Sequence, residues 1–278
     1  MNSPAITVDD KRRTFRRLHE RGCFVIPNPW DVGSALALQS LGFPALATTS
    51  SGFAWSQGRA DGAMPRDRVL EHLQILVATA RVPINADFES GYAATAAGVA
   101  ENVRRAVDTG VAGLSIEDAS GVATEPLYAL DVAVERLRAA RQAIDRAGAD
   151  VLLVGRSEGF IRGRPDLDET IRRLRAYASA GADCLYAPGI RTREQIAAVV
   201  EAVAPKPVNV LISGTSEFAV SDLAALGVRR ISVGGALARA AWTGFLSAAR
   251  RLAADGRFDG LGSAMPHAEL DALFGGGP

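Results

Sequence analysis

Eight short apolar runs, each followed by a stretch with helical periodicity, limit the folds that this chain can adopt. The runs cover residues 24–26, 45–48, 84–87, 113–117, 151–156, 184–187, 208–212 and 230–233. A helix between two strands returns the chain to the same end, so such strands form a parallel sheet. Eight such units in 278 residues predict a (β/α)₈ TIM barrel that forms a single domain over residues 1–278.

An open, doubly wound sheet is the alternative architecture. Such sheets that bind dinucleotides carry Gly-x-Gly-x-x-Gly after the first strand. Here the first run is followed by Pro27-Asn28-Pro29-Trp30-Asp31. The closed barrel is therefore favoured.

Charge and cysteine usage narrow the partners and the compartment. The 31 Lys and Arg residues balance 31 Asp and Glu residues, so no overall field attracts nucleic acid or an anionic membrane. The basic cluster at residues 11–17 has the spacing of a solvated helix face. Lone cysteines in apolar contexts, Cys23 and Cys184, predict reduced thiols. With no apolar stretch long enough to span a membrane, these features predict a cytoplasmic protein.

Carboxylates follow two of the apolar runs. Asp87 and Glu89 are two residues apart at the end of the third run, where side chains of an extended strand point the same way. Glu117 ends the fourth run. In a parallel barrel these ends meet on one face. Oxygen ligands without a His or Cys cluster favour Mg²⁺, with Mn²⁺ as the alternative. Helix capping or pairing with arginine is the structural alternative for each acid.

Several motifs together resemble the isocitrate lyase and phosphoenolpyruvate mutase superfamily over roughly residues 21–249. They are Pro27-Asn28-Pro29-Trp30-Asp31, Thr49-Ser50-Ser51-Gly52, Asp87-Phe88-Glu89-Ser90-Gly91-Tyr92, Ile116-Glu117-Asp118, Arg156-Ser157-Glu158 and Arg230-Ile231-Ser232-Val233-Gly234. The third replaces the superfamily's Asp-x-Asp-x-Gly-Tyr. The order and spacing of these motifs make the resemblance specific, since any one motif alone would be weak evidence.

The resemblance implies a Mg²⁺ ion that holds the carboxylate and 2-oxo oxygens of a 2-oxo acid. It implies that Asp87 is the direct metal ligand and that Asp61, Glu89 and Glu117 reach the metal largely through water. Ser51 and the backbone N–H groups of Gly52 and Phe53 are expected to bind the substrate carboxylate. Arg156 is expected to be the cationic clamp and a catalytic residue together with Glu117. Asn209 is a further candidate for substrate binding.

The segment after the fourth run departs from two branches of the superfamily. It reads Ala119-Ser120-Gly121-Val122-Ala123-Thr124-Glu125-Pro126-Leu127. It lacks the Lys-Lys/Arg-Cys-Gly-His motif of isocitrate and methylisocitrate lyases, and the Lys and Asn of the phosphonate-active enzymes. The resemblance therefore favours the branch that acts on simple dicarboxylates such as oxaloacetate or malate-like acids.

The expected activity is Mg²⁺-dependent cleavage of a carbon–carbon bond in a small 2-oxo or 2-hydroxy dicarboxylate, through a pyruvate enolate. Decarboxylation is the least demanding of these reactions for a site whose loop lacks an acidic proton donor, because the CO₂ that leaves needs no proton. Water or a phenol can then protonate the enolate, and Tyr92 and Tyr186 are the candidate phenols. A core or rim tyrosine is the structural alternative for each of them, and it is favoured for Tyr186. Phosphonopyruvate or phosphoenolpyruvate chemistry and a non-catalytic binder of 2-oxo acids are the alternatives.

The resemblance also implies a homo-oligomer, a tetramer or a dimer, with a C-terminal helix exchanged between subunits. The apolar segment Leu270–Phe274 near the C-terminus is compatible with this arrangement. It is equally compatible with a helix that docks on its own barrel.

Overall fold

A computed structural model describes residues 6–275 and confirms the predicted barrel. Eight parallel strands form one sheet in the order β1-β8-β7-β6-β5-β4-β3-β2. The strands are β1 Phe24–Ile26, β2 Leu46–Ala47, β3 Ile84–Asp87, β4 Gly113–Glu117, β5 Leu152–Arg156, β6 Cys184–Tyr186, β7 Val208–Leu211 and β8 Arg230–Ser232. Their bounds match the predicted runs to within about one residue.

Helices surround the sheet; most lie between successive strands, one precedes β1 and two follow β8. They are α1 Val8–Glu20, α2 Val32–Ser40, α3 Ser50–Ser56, α4 Arg66–Thr79, α5 Ala96–Asp108, α6 Leu130–Arg146, α7 Leu167–Ser179, α8 Arg193–Val203, α9 Val220–Ala225, α10 Ala236–Asp255 and α11 His267–Gly275. Short 3₁₀ turns cover Gly159–Arg162 and Asp259–Leu261. None of these helices combines the length and the apolar character needed to cross a bilayer.

The seam between β1 and β2 is closed without a strand ladder. The Ala47 N–H donates to the Pro27 carbonyl at 3.1 Å. The side-chain amide of Asn28 completes the join, because its Nδ2 donates to the Thr48 carbonyl and its Oδ1 accepts from the N–H groups of Val233 and Gly234. The barrel is therefore nearly closed, and one asparagine links the ends of β2 and β8.

The prediction of a solvated basic face on α1 is wrong for two of its residues. Lys11 and Arg12 are buried. The Lys11 ammonium donates to the carbonyls of Val77 and Ala80. The Arg12 guanidinium donates to the carbonyls of Val107 and Val111. Both cations thus satisfy carbonyls at the ends of neighbouring helices, which attract positive charge.

The two C-terminal helices differ in how they contact the barrel. Helix α11 packs against α2 of the same chain, with the Phe274 ring near Gly33. In α10 only Ala238 is buried, and Trp242, Phe245 and Leu246 are at least 37% exposed. An apolar surface of this extent on a helix is unusual for an isolated subunit.

Candidate active site

Asp87 is held at the end of β3 by contacts from two neighbouring elements. Its Oδ2 accepts the backbone N–H of Ser50 at 3.0 Å, and its own N–H donates to Thr48 Oγ1 at 2.9 Å. Its Oδ1 lies 3.1 Å from Nη1 of Arg156 on β5. The carboxylate is therefore fixed in position on the face formed by the carboxyl ends of the strands.

Arg156 brings three carboxylates together. Its Nη1 also lies 3.1 Å from Glu117 Oε2, and its Nε lies 2.5 Å from Glu158 Oε1. Burial alone would lower the pKa of the Arg156 guanidinium, but Glu158, Glu117 and Asp87 together hold that pKa well above its ordinary value. Arg156 is therefore charged throughout the physiological range and is matched by several anions.

The turn after β3 holds Glu89 and Tyr92 in left-handed backbone conformations. Their φ angles are 44° and 52°, which are uncommon for residues with side chains. The Tyr92 hydroxyl donates to Glu89 Oε1 at 2.7 Å. Burial and the neighbouring Glu89 raise the pKa of Tyr92 far above its ordinary value. Tyr92 is thus directed at Glu89 and keeps its proton.

Two acids on this face resist ionisation. Burial is the largest cause that raises the pKa of Glu89 to about 7, and Asp87 and Asp61 contribute. Burial also raises the pKa of Glu117 to about 8 against the lowering effect of Arg156. Burial beside other carboxylates, which outweighs the lowering effect of Arg156, causes both pKa shifts. Both shifts would be relieved by a further cation.

The acids suit a hard cation by their donor type, since all provide oxygen. Among residues 6–275, however, no three His, Cys, Asp or Glu side chains stand close enough to enclose an ion. Arg156 instead holds Asp87 and Glu117. The buried acids with raised pKa values fit a divalent cation by charge.

A cavity of about 150 Å³ opens at this face and extends into the barrel. Five of the predicted site residues line it: Ser51, Asp61, Asp87, Arg156 and Asn209. Gly52, Phe53, Glu89, Tyr92 and Glu117 are not part of its wall. Grooves of about 930 and 700 Å³ elsewhere on the surface do not contain the cluster of Asp87, Glu117 and Arg156. We therefore assign the smaller cavity as the candidate active site.

The predicted carboxylate cradle differs from the structure in its backbone donors. The N–H of Phe53 donates to the Thr49 carbonyl, and that of Gly52 donates to Thr49 Oγ1. Both donors are used by the N-terminal turn of α3 and its cap, Thr49. Gly52 is needed for packing, because a Cβ there would lie 2.7 Å from Thr49 Cγ2. Ser51 is the member of the predicted cradle that lines the cavity, where its hydroxyl lies 3.0 Å from Thr49 Oγ1.

Sequence reasoning missed several polar residues of the cavity wall. Asn28, Asn85, Ser115 and Arg230 line it, and Tyr186 does so as well. The Arg156 guanidinium lies 5.2 Å from the Tyr186 ring centre. Tyr186 is buried in a core cluster with Val154 and Cys184, as its interpretation as a core tyrosine expected, and it also borders the cavity. Asn85, Ser115 and Arg230 lie inside or at the start of apolar runs, where the sequence alone does not show which side chains face the barrel interior.

Asp118, next to Glu117, organises the loops below the site. It is buried and accepts hydrogen bonds from the Tyr177 hydroxyl at 2.5 Å, from Arg173 Nη1 at 3.1 Å and from the Glu158 N–H at 2.7 Å. Glu158 in turn holds Arg156. Asp118 therefore acts on the site through the backbone that carries Glu158.

Known proteins share this architecture. The family model described as phosphoenolpyruvate phosphomutase matches residues 15–253. An oxaloacetate decarboxylase from Rhodopseudomonas palustris (strain BisB5) is 34% identical over 207 residues, which cover 70% of this chain and 68% of that protein.

Two solved structures are similar over nearly their whole lengths. A protein from Burkholderia cenocepacia J2315, provisionally assigned as a lyase/mutase, is 47% identical with a TM-score of 0.93, covering 96% of this chain and 97% of that one. Oxaloacetate acetylhydrolase in complex with the product oxalate is 26% identical with a TM-score of 0.85, covering 95% and 93%. The chain therefore belongs to the phosphoenolpyruvate phosphomutase family, within the phosphoenolpyruvate mutase/isocitrate lyase superfamily.

Proposed function

We propose that this protein is a Mg²⁺-dependent lyase that cleaves a carbon–carbon bond of a small 2-oxo or 2-hydroxy dicarboxylate, such as oxaloacetate or a malate-like acid. The observation that carries the proposal is the meeting of Asp87 and Glu117 at Arg156 beside a small polar cavity. The similarity to an oxaloacetate decarboxylase and to oxaloacetate acetylhydrolase supports the substrate class.

We assign Asp87 as the ligand that would hold the cation, with Asp61, Glu89 and Glu117 around it. When bound, a divalent cation supplies positive charge beside the oxygen on which an enolate develops. The raised pKa values of Glu89 and Glu117 support this assignment, because each acid gains a counter-charge. Mn²⁺ is an alternative cation on the same oxygen ligands.

The other proposed roles belong to residues of the cavity wall. Arg156 binds and orients the substrate carboxylate, and Ser51 and Asn209 donate hydrogen bonds to the substrate. Glu117 holds Arg156 in position through the ion pair between its Oε2 and Arg156 Nη1, which are 3.1 Å apart. Such fixed charges act where negative charge develops in the transition state.

The proton that quenches the enolate comes from a tyrosine in this proposal. Tyr186 borders the cavity, and burial raises the pKa of its phenol to about 12, so it is protonated at neutral pH. Tyr92 lies outside the cavity wall and contacts Glu89. We therefore assign proton donation to Tyr186, and we propose that Tyr92 acts through Glu89.

The test is an assay of the purified protein with oxaloacetate and with malate-like acids, in the presence of Mg²⁺ or of EDTA. We expect pyruvate or a 2-oxo acid to be released only with the metal. Absence of turnover for every 2-oxo and 2-hydroxy dicarboxylate would contradict the proposal. Binding without turnover would identify a non-catalytic binder of 2-oxo acids.

Phosphorus–carbon chemistry is the second candidate, because the matching family model is described as a phosphomutase. The segment 119–127 argues against it. It folds back on itself through an antiparallel bridge between Ala119 and Leu127, and it carries no Lys or Asn. Phosphorus NMR of a reaction with phosphonopyruvate would separate the two activities.

We also propose a homo-oligomer, a tetramer or a dimer. The support is the exposed apolar surface formed by Trp242, Phe245 and Leu246 of α10, which a second copy would cover. Exchange of a C-terminal helix is part of this proposal. Within the single chain, α11 already packs on α2.

A cytoplasmic location is proposed from the two cysteines. Cys23 and Cys184 are both free thiols, as expected in a reducing compartment. Cys184 is buried, and burial raises the pKa of its thiol.

A further inference from the structure

Arg230 is a buried cation inside the barrel, and no acidic side chain among residues 6–275 forms an ion pair with it. It is 3% exposed. Its Nε donates to Asn209 Oδ1 at 2.8 Å, and its Nη1 lies 3.4 Å from Asn85 Oδ1 and 3.4 Å from His19 Nε2. None of the ion pairs formed within the described part of the chain includes Arg230.

The partners of Arg230 carry no negative charge. Asn85 and Asn209 are neutral amides. Burial, followed by the charge of Arg230 itself, lowers the pKa of His19 to about 3, so its imidazole is uncharged at neutral pH. A buried charge without a counter-ion is unfavourable unless a ligand supplies one.

Arg156, which lies in the same cavity wall, shows the opposite situation. It is matched by the carboxylates of Asp87, Glu117 and Glu158. The wall therefore has an end rich in anions, near Arg156, and an end with an unmatched cation, at Arg230. A ligand that satisfies both ends carries a carboxylate that the Arg230 end can bind.

The strand register places the two ends along one row of side chains. Arg156 pairs with Tyr186, Tyr186 with Asn209, and Asn209 with Arg230. Residues paired in register on adjacent parallel strands point to the same face of the sheet, and all four line the cavity. The row thus connects the proposed reaction site to Arg230 without an intervening apolar layer.

We propose that Arg230, oriented by Asn209, binds the second carboxylate of a dicarboxylate substrate. This inference rests on the proposed function, because it places the 2-oxo or 2-hydroxy acid end of the substrate at Arg156. It assigns the selectivity for dicarboxylates over monocarboxylates to a residue deep in the barrel. The cavity of about 150 Å³ is several times the ~30 Å³ that a water molecule occupies in the liquid, which suits a short acid.

The test compares two ligands that differ in this one group, malate and 2-hydroxybutyrate. Their affinities for the wild-type protein are measured by calorimetry in the presence of Mg²⁺. We expect malate to bind at least about tenfold more tightly, since a hydrogen bond to a charged group contributes this much when water is excluded. Equal affinities would overturn the proposal.

Variants assign this preference to Arg230. In Arg230→Gln we expect the affinity for malate to fall about tenfold or more, while that for 2-hydroxybutyrate changes less than about threefold. Arg229→Gln is the matched control, because Arg229 is the adjacent arginine, is only partly buried, donates to the Gly22 carbonyl and is not part of the cavity wall. A loss of equal size for both ligands in Arg230→Gln would show a structural role only and would overturn the proposal.

A second variant covers the case in which Arg230→Gln does not fold. Asn209→Asp keeps the arginine and supplies an internal carboxylate at the atom that now accepts from Arg230 Nε. We expect this variant to lose the preference for malate, and a preserved preference would contradict the proposal. Selective malate binding without turnover of any dicarboxylate would uphold this subsite and refute the proposed function.

Discussion

The guanidinium of Arg156 lies 3.1 Å from the carboxylate of Asp87, although the two residues are 69 positions apart in the sequence. The contact joins the ends of β3 and β5. It means that the acid that we assign to the metal is already paired with a cation. Binding of a second cation at Asp87 is therefore coupled to the position of Arg156, the residue that we assign to the substrate.

Substitution of Asp87 tests the central assignment. Asp87→Asn preserves the size of the side chain but removes the charge that holds Arg156 and the proposed metal. We expect turnover of oxaloacetate with Mg²⁺ to fall by about a hundredfold or more. Asp108→Asn is the control, since Asp108 forms an exposed ion pair with Arg104. Unchanged turnover in Asp87→Asn would remove the assignment.

The raised pKa values predict a pH-dependent stability. Glu89 and Glu117 have an ordinary pKa of 4.5 and folded values of about 7 and about 8. Between the ordinary pKa of 4.5 and the folded values of about 7 and about 8, the folded state binds more protons than the unfolded state. The free energy of unfolding therefore falls as the pH rises through this range. Urea unfolding in EDTA at about pH 5, 6.5 and 8 measures the decline.

Mg²⁺ should flatten this pH dependence. A bound divalent cation favours the ionised acids and releases protons on binding. We therefore expect the stabilisation by Mg²⁺ to increase from about pH 5 to about pH 8. A stability that rises with pH in EDTA, or a Mg²⁺ effect independent of pH, would conflict with the proposed role of these acids.

The two candidate tyrosines are separated by removing one hydroxyl at a time. In Tyr186→Phe we expect kcat to fall about ten- to a hundredfold, because Tyr186 lines the cavity and is the proposed proton donor. In Tyr92→Phe we expect a smaller loss of kcat and a loss of about 1 kcal/mol in stability, from the hydrogen bond to Glu89. The opposite order of kcat values would return proton donation to Tyr92.

Substitution of Arg136, which is not part of the cavity wall, is expected to lower stability strongly. This buried arginine of α6 donates to the carbonyls of Ser90, Ala93 and Ala94, in the loop that follows Glu89. Arg136→Met leaves these carbonyls without that donor, and we expect a loss of about 3 kcal/mol in the free energy of unfolding. Arg138→Gln, on the exposed side of the same helix, is the control and should change stability by less than about 0.5 kcal/mol.

The exposed surface of α10 predicts the oligomeric state. We expect mass photometry of the wild-type protein to show a dimer or a tetramer. Phe245→Asp places a charge in a side chain that is 60% exposed, and we expect it to shift the population toward monomer. Leu41→Asp, at a residue 74% exposed on another part of the barrel, should leave the assembly unchanged. A monomeric wild-type protein would contradict the proposal.

Much of the fold could be predicted from the sequence because each strand and helix carries its own local period. The bounds of β3 and β4 agree with the predicted runs. Helix α3 was missed, since its seven residues, Ser50–Ser56, are too few for a helical pattern to be recognised. Its start is fixed by the Thr49 cap and by the hydrogen bond from the Ser50 N–H to Asp87. The second contact joins distant parts of the chain, so the local sequence does not reveal it.

The site could be predicted only in part. The acids at Asp87 and Glu117 stand out because each ends an apolar run. Asn209 was also predicted and lies in the cavity wall. Arg230 belongs to such a run, and its position in a polar barrel interior depends on which side chains face inward. The burial of Lys11 and Arg12 likewise depends on carbonyls from distant helices, which no local pattern reveals.

Asn28 shows how a chain with two prolines in a critical segment can still complete its barrel. Pro27 and Pro29 have no N–H group to donate, so the backbone of this segment cannot supply a full ladder between β1 and β2. The Asn28 side chain replaces the missing partners and fixes the Val233–Gly234 segment, which leads into the wall at Gly234 and Gly235. Weakening the hydrogen bonds of this one amide would therefore change the shape of the cavity, because Asn28 lies in the same wall as Asp87 and Arg156.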